Sequence, residues 1–231
     1  MESETSRIIY FIFLWNQRFF SMTEIRSKSG LAIVLSGLEG FYEPKVRQEQ
    51  YLTDSEIGAY VLWNACLLGD IKGKVIADLG CGTGLLGVGA LLLGAKEAIF
   101  VDSDERALEI AKNNISKAKS ESYSIGKAEF ICSDIKDLKR KANVVLQNPP
   151  FGTKVRHIDA FFLEKALETA PVVYSFHKSE SKGFLERFSG QKNAKITHIW
   201  SFKFPLKASF SFHRRQIHRI DVSCFRFEAK K

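Results

Sequence analysis

The stretch Val75-Ile76-Ala77-Asp78-Leu79-Gly80-Cys81-Gly82-Thr83-Gly84 constrains the fold more than any other part of the chain. Its first five residues read as a buried strand. The glycines that follow let the backbone turn sharply into a helix predicted to run through Leu92. A strand that feeds a helix in this way is half of a parallel β-α-β unit. The pattern then recurs. Residues 97–101 read as a second strand ending at Asp102, with Asp104 capping a helix to about Ala118. Lys127–Cys132 reads as a third strand ending at Asp134, and 142–147 as a fourth. A helix over 158–169, a fifth strand over 171–176 and a helix around 181–188 follow. Two alternating runs, 195–204 and 217–227, read as a hairpin. The expected class is α/β, a mainly parallel sheet closed by a late antiparallel pair.

Upstream, residues 23–38 have helical spacing with Gly40 as the stop. Thr53-Asp54-Ser55-Glu56 has capping-box spacing, with Thr53 as the cap of a helix carrying Ile57, Val61, Leu62, Cys66 and Leu67. Residues 8–15 are strongly apolar, but a membrane-spanning helix needs about 20 residues, and Glu2 and Glu4 argue against a signal peptide. Residues 1–21 are therefore expected to be an appendage outside the fold. The expected single domain is 22–231, comprising an N-terminal segment 22–53 and a core 54–231, and 45% hydrophobic content suffices for one sizeable core. The four cysteines are far apart, without a C-x-x-C pair or a histidine at ligand spacing. That argues against zinc, or any metal, and for reduced thiols inside a cell. Charge is uneven: residues 178–231 hold 13 Lys/Arg against 4 Asp/Glu, while the remainder is close to neutral. A basic C-terminal quarter fits a polyanionic partner or a solvated basic face.

Asp78-x-Gly80-x-Gly82-x-Gly84 allows a ligand to approach the backbone at a helix N-terminus. The spacing is neither G-x-G-x-x-G nor a P-loop. Asp102, at the next strand's end, is placed to take both hydroxyls of a ribose, and Asp134 to accept from an adenine amine. This constellation fits S-adenosylmethionine better than NAD. After the fourth strand comes Asn148-Pro149-Pro150-Phe151. Two prolines end the strand abruptly and hold the backbone extended. The amide oxygen of Asn148 and the carbonyl of Pro149 can accept the two hydrogens of an exocyclic amine, with Phe151 stacked on its heterocycle. Taken alone, the four residues fit a Pro-Pro turn over a buried Phe equally well.

Together these segments resemble the class I S-adenosylmethionine-dependent methyltransferases of the N-P-P-F/Y type. More closely, the chain is similar to the methyltransferase-like protein 5 family of archaea and eukaryotes. The resemblance is carried by Glu49-Gln50-Tyr51-x-Thr53, Ala77 through Gly82, Asp102-x-Asp104-Glu105-x-Ala107-Leu108-Glu109-Ile110 and Asn148 through Lys154. Tyr174-Ser175-x-His177-Lys178 and Ala208-Ser209-Phe210-x-Phe212-His213 add to it, and Leu52 replaces the family's usual proline. The resemblance implies a Rossmann-like, seven-stranded sheet and N6-methylation of an unstacked adenosine in small-subunit ribosomal RNA. It implies a cofactor pocket lined by Gln50, Thr53, Gly80, Thr83, Leu85, Asp102, Asp134 and Ile135, beside Asp78 and Gly82 of the turn. Asn148, Pro149, Pro150 and Phe151 are the expected catalytic set. Lys154, Arg156, His177, Lys178, His213, Arg214 and Arg215 are the expected RNA contacts. The family also works with a small zinc-binding activator subunit that covers a sheet edge. A cytoplasmic location, or a nuclear or nucleolar one in a eukaryote, is expected, with no membrane. Three other readings stay open: methylation of guanine N2 in RNA, methylation of a protein glutamine, and a non-catalytic RNA-binding scaffold.

Overall fold

A computed structural model describes residues 24–41, 52–150, 158–206 and 218–230. Helix α1, Lys28–Ser36, begins where the Ser27 side chain accepts from the Gly30 N–H, and it stops at Gly37. It is thus shorter at both ends than its apolar spacing predicts. Helix α2, Ser55–Leu67, is capped by Asp54, whose carboxylate accepts from the N–H groups of Glu56 and Ile57. This corrects the expectation that Thr53 is the cap. A carboxylate one residue later serves two orphan N–H groups at once, and the threonine is released for another contact.

The chain then alternates: β1 Val75–Leu79, α3 Leu85–Leu92, β2 Glu97–Asp102, α4 Glu105–Ser120 and β3 Lys127–Cys132. There follow β4 Val144–Gln147, α5 Ile158–Thr169, β5 Val172–Lys178, α6 Lys182–Gln191, β6 Ala194–Leu206 and β7 His218–Ala229. The seven strands lie in the order β3-β2-β1-β4-β5-β7-β6. Strands β1 to β5 are parallel, and β7 runs antiparallel to both β5 and β6. One face of the sheet packs on α1 to α4 through Leu35, Leu62, Leu91, Leu108 and Ile115. The other packs on α5 and α6 through Leu163, Ala166 and Leu185, against Val173, Phe225 and Phe227. Buried on both faces, the central strands need the near-continuous apolar runs that the sequence supplies.

A buried polar lock joins the α2–β1 connection to the late strands. The Asp70 carboxylate accepts from the Tyr174 hydroxyl at 2.6 Å and from Arg226 Nε at 2.8 Å. Arg226 also donates to Thr197 and Glu228. Among the described residues, no helix is long and apolar enough to cross a membrane.

Strand order reverses between β1 and β4. The connections leaving these neighbours go to opposite sides, and a crevice opens at their C-terminal ends. The glycine turn and the Asn-Pro-Pro segment both sit there.

Candidate active site

Gly80, Gly82 and Gly84 all adopt positive φ, at 64°, 53° and 82°. At Gly84 a side chain would be doubly excluded, because a Cβ would lie 2.9 Å from that of Ala111. Gly84 is also the cap residue of α3 and has no side chain to offer. Asp78 supplies the missing cap from the strand below, its carboxylate accepting from the Gly87 N–H at 2.8 Å. It is only 1% exposed. Burial pushes its pKa up to about 7; the Gly87 N–H opposes the rise and the nearby Asp102 adds to it. Asp78 therefore shapes the turn from beneath.

Asp102 ends β2, half-buried. One carboxylate oxygen accepts from the Gly82 N–H at 2.8 Å and the other from the Asp104 N–H at 2.9 Å. Burial raises its pKa, while those two N–H groups pull it down. The carboxylate is thereby fixed in orientation, and each oxygen keeps acceptor capacity suited to a pair of neighbouring hydroxyls. Thr83 is buried in the turn and Leu85 half-buried at the start of α3. Asp134 is exposed beyond β3, where its carboxylate caps the short 3-10 turn Ile135–Asp137 and pairs with Lys136; Ile135 is buried.

A residue that the sequence reading passed over ties this region together. Asn114 is fully buried on α4. Its Oδ1 accepts from the Glu39 N–H at 2.7 Å, and its Nδ2 donates to the carbonyls of Glu39 and Thr83 at 3.1 and 2.9 Å. It thus clamps the segment after α1 to the glycine turn. The signal was present: Asn114 shares the apolar face of α4 with Ala107, Leu108, Ala111, Ile115 and Ala118. An amide among such residues needs buried partners.

At the end of β4, Asn148 is half-buried, Pro149 buried and Pro150 half-buried. Asn148 Nδ2 donates to Thr53 Oγ1 at 3.1 Å. Its Oδ1 is buried and has no hydrogen-bond partner among the described residues. Gln147 is also buried, with Nε2 donating to Ser175 Oγ at 2.9 Å and Oε1 without a partner among the described residues. Ser175 Oγ lies 2.7 Å from His177 Nε2.

This last contact corrects one expectation. His177 does not follow a strand beside an RNA path. It lies within β5, 2% exposed, and burial holds its pKa down at about 3. A neutral imidazole inside the sheet can meet no phosphate. β5 reaches past residue 176 because β7 extends alongside it, pairing His177 with Ser223 and Lys178 with Val222. Lys178 is the last residue of β5, half-buried and 3.8 Å from the Glu180 carboxylate. Gln50, Phe151, Lys154, Arg156, His213, Arg214 and Arg215 lie outside the described residues.

The crevice thus joins a glycine turn, a fixed carboxylate and a buried amide oxygen that has no partner among the described residues, a set that can hold a nucleoside on one side and an amine on the other. The chain as a whole is similar to known proteins. The family model of the methyltransferase small domain matches residues 56–173. An uncharacterized protein of Methanocaldococcus jannaschii is 36% identical, over 87% of this chain and 94% of that protein. The Danio rerio rRNA N6-adenosine-methyltransferase METTL5 is 34% identical, over 84% of this chain and 94% of its own. A crystal structure from Pyrococcus horikoshii, described as that of a candidate RNA methyltransferase, superposes with a TM-score of 0.81 at 42% identity, over 90% of this chain and all of the other. On this similarity the chain belongs to the methyltransferase small-domain family and, within it, to the family of METTL5 proteins.

Proposed function

We propose that this protein is an S-adenosylmethionine-dependent enzyme that methylates N6 of an adenosine in ribosomal RNA, specifically that of the small subunit. The observation that carries the reading is the buried, unpartnered oxygen of Asn148 at the crevice between β1 and β4. A buried acceptor without a partner is costly, and a ligand N–H removes that cost. Three relatives are named for rRNA adenosine N6, an amine of the kind such an oxygen suits.

Gly80, Gly82, Thr83 and Leu85 would hold the cofactor along the turn, and Asp102 would take its ribose hydroxyls. Asp134 and Ile135 would flank its adenine. Gln50 and Thr53 would close the site from the N-terminal segment, and Asp78 holds the turn in shape from below. S-adenosylmethionine supplies, when bound, a methyl group already activated on a sulfonium, so no strong base is needed. What the protein must do is place the amine and favour its lone pair. Asn148 Oδ1 and the Pro149 carbonyl accept the two amine hydrogens, which draws the nitrogen toward pyramidal geometry and stabilises the positive charge developing on it. Pro150 keeps that corner rigid, and Phe151 stacks on the unpaired base. The surplus proton then leaves to water.

The basic C-terminal quarter, with Lys154, Arg156 and Lys178, is proposed to hold phosphates, and His213, Arg214 and Arg215 belong to it. Strand β3 stands at one edge of the sheet, and its open ladder suits the zinc-binding activator that the family resemblance implies. A ribosomal-RNA substrate places the enzyme in the cytoplasm, or in the nucleolus of a eukaryotic cell.

Labelled cofactor, ribosomal RNA and nucleoside mass spectrometry test the reading. Wild type should yield N6-methyladenosine. Asn148→Ala should lose about 10²–10³ in turnover, with cofactor affinity and melting temperature unchanged. Label on guanine or on protein glutamine, or an Asn148→Ala variant as fast as wild type, would overturn it.

A further inference from the structure

We infer that Thr53 is a positioning residue whose hydroxyl sets which end of the Asn148 amide faces the reacting amine; this rests on the reading of Asn148 given above. The two ends of a carboxamide are nearly equal in size, so packing alone does not choose between them. A partner must. Here Thr53 Oγ1 accepts from the Nδ2–H at 3.1 Å, across 95 residues of chain, and Oδ1 is left buried and, among the described residues, without a partner. The reverse orientation would satisfy the oxygen on the Thr53 hydroxyl and turn N–H donors toward an amine that itself donates. Donor would then face donor, and the substrate would lose its acceptor. The orientation in which Thr53 accepts is therefore the productive one.

Thr53 can do this because it does not cap α2. Asp54 takes the N–H groups of Glu56 and Ile57, so the threonine hydroxyl is not spent on the helix. The capped start of α2 holds the Thr53 backbone in place, and two prolines hold that of Asn148. A hydrogen bond between two anchored groups carries orientation at small entropic cost.

Kinetics on the full chain with ribosomal RNA test this. Thr53→Val keeps the shape and removes the acceptor, so kcat at saturating cofactor should fall roughly tenfold, about what one neutral hydrogen bond can supply. Thr53→Ser should restore kcat to within about twofold. In an Asn148→Ala background, Thr53→Val should cost nothing further, because the group it orients is gone. The side-chain amide signals of Asn148 in ¹⁵N spectra give a measure independent of turnover. They should match between wild type and Thr53→Ser and move in Thr53→Val, or in Thr53→Ala should the valine variant not fold. Unchanged kcat in Thr53→Val, a loss confined to cofactor KM, a full additional loss in the Asn148→Ala background, or unmoved amide signals would each overturn the inference. If wild type methylates no RNA adenine, the functional reading fails by itself, and the amide signals still test the Asn148–Thr53 bond.

Discussion

His177 and Asp78 are buried titratable side chains whose pKa values are displaced toward each other's ordinary range, and their effects on stability run in opposite directions. The folded protein keeps His177 neutral down to about pH 3, while the unfolded imidazole takes up a proton below 6.5. That contribution is full above pH 6.5 and is lost as pH falls toward 3. Asp78 is displaced upward, from 3.8 to about 7, so the folded state holds a proton that the unfolded chain has released. Its contribution is full below pH 3.8 and is lost as pH rises through 7. Between about pH 4 and 6.5 the two slopes oppose, each bounded by ~1.4 kcal/mol per pH unit. Urea unfolding across pH should show His177→Gln losing stability as pH rises from 4 to 7. Asp78→Asn, which keeps an acceptor for Gly87, should instead lose it on acidification below 6.5. Profiles parallel to wild type in both variants would show that neither group titrates as the fold implies. Neither burial could be read from the sequence. A histidine at a predicted strand end looks exposed until β7 pairs beside it, and an aspartate before a glycine turn looks ligand-facing until α3 is seen to need a cap. The place of Asp102 was legible, because the apolar run before it marks the end of the second strand.

Elements with strong punctuation were read at their true bounds: Val75–Leu79 stops at glycine, Lys127–Cys132 stops before Asp134, and the helix over 158–169 stops before Pro171. Elements whose ends depend on side-chain caps were not. Ser27 starts α1 later than the apolar spacing predicts, and Asp54 displaces Thr53 at α2. Asn114 belongs to this scale too, since it acts between elements, joining α4 to the segment after α1 and to the glycine turn. Asn114→Ala removes all three bonds from a buried site. At about 1 kcal/mol for each net bond, melting temperature should fall by several degrees, and cofactor affinity measured by calorimetry should drop about tenfold, because the turn loses its brace. Asn114→Asp keeps the acceptor but places an uncompensated carboxylate near two carbonyls, and should be worse than alanine. An Asn114→Ala variant with wild-type affinity would mean that the turn holds its shape without α4.

At the scale of the whole molecule, the sequence indicated a mainly parallel sheet with a late antiparallel pair, but not the place of each strand. Strand order is set by long-range pairing, which local pattern does not encode. The Asp70–Tyr174–Arg226 lock was invisible for the same reason, being assembled from three distant segments. Asp70→Leu should destabilise the fold by about 1.5–3 kcal/mol, since Arg226 Nε and the Tyr174 hydroxyl lose their buried acceptor while Thr197 and Glu228 still hold the guanidinium. Adding Arg226→Met should recover much of that loss, because a well-packed apolar pair replaces the ion pair. Denaturant midpoints of the two variants check this, and a double variant no better than the single would refute it. Strand β7 has one more consequence. It is made after β6 and yet lies between β5 and β6. Until β7 inserts, β5 and β6 therefore both have edges waiting for the same strand, although the glycine turn and the Asn-Pro-Pro corner precede them in the chain. In that interval the nascent chain is a target for chaperones or for exchange with a second copy. A pause in translation between the two late strands should make the protein aggregate before it costs any catalytic residue.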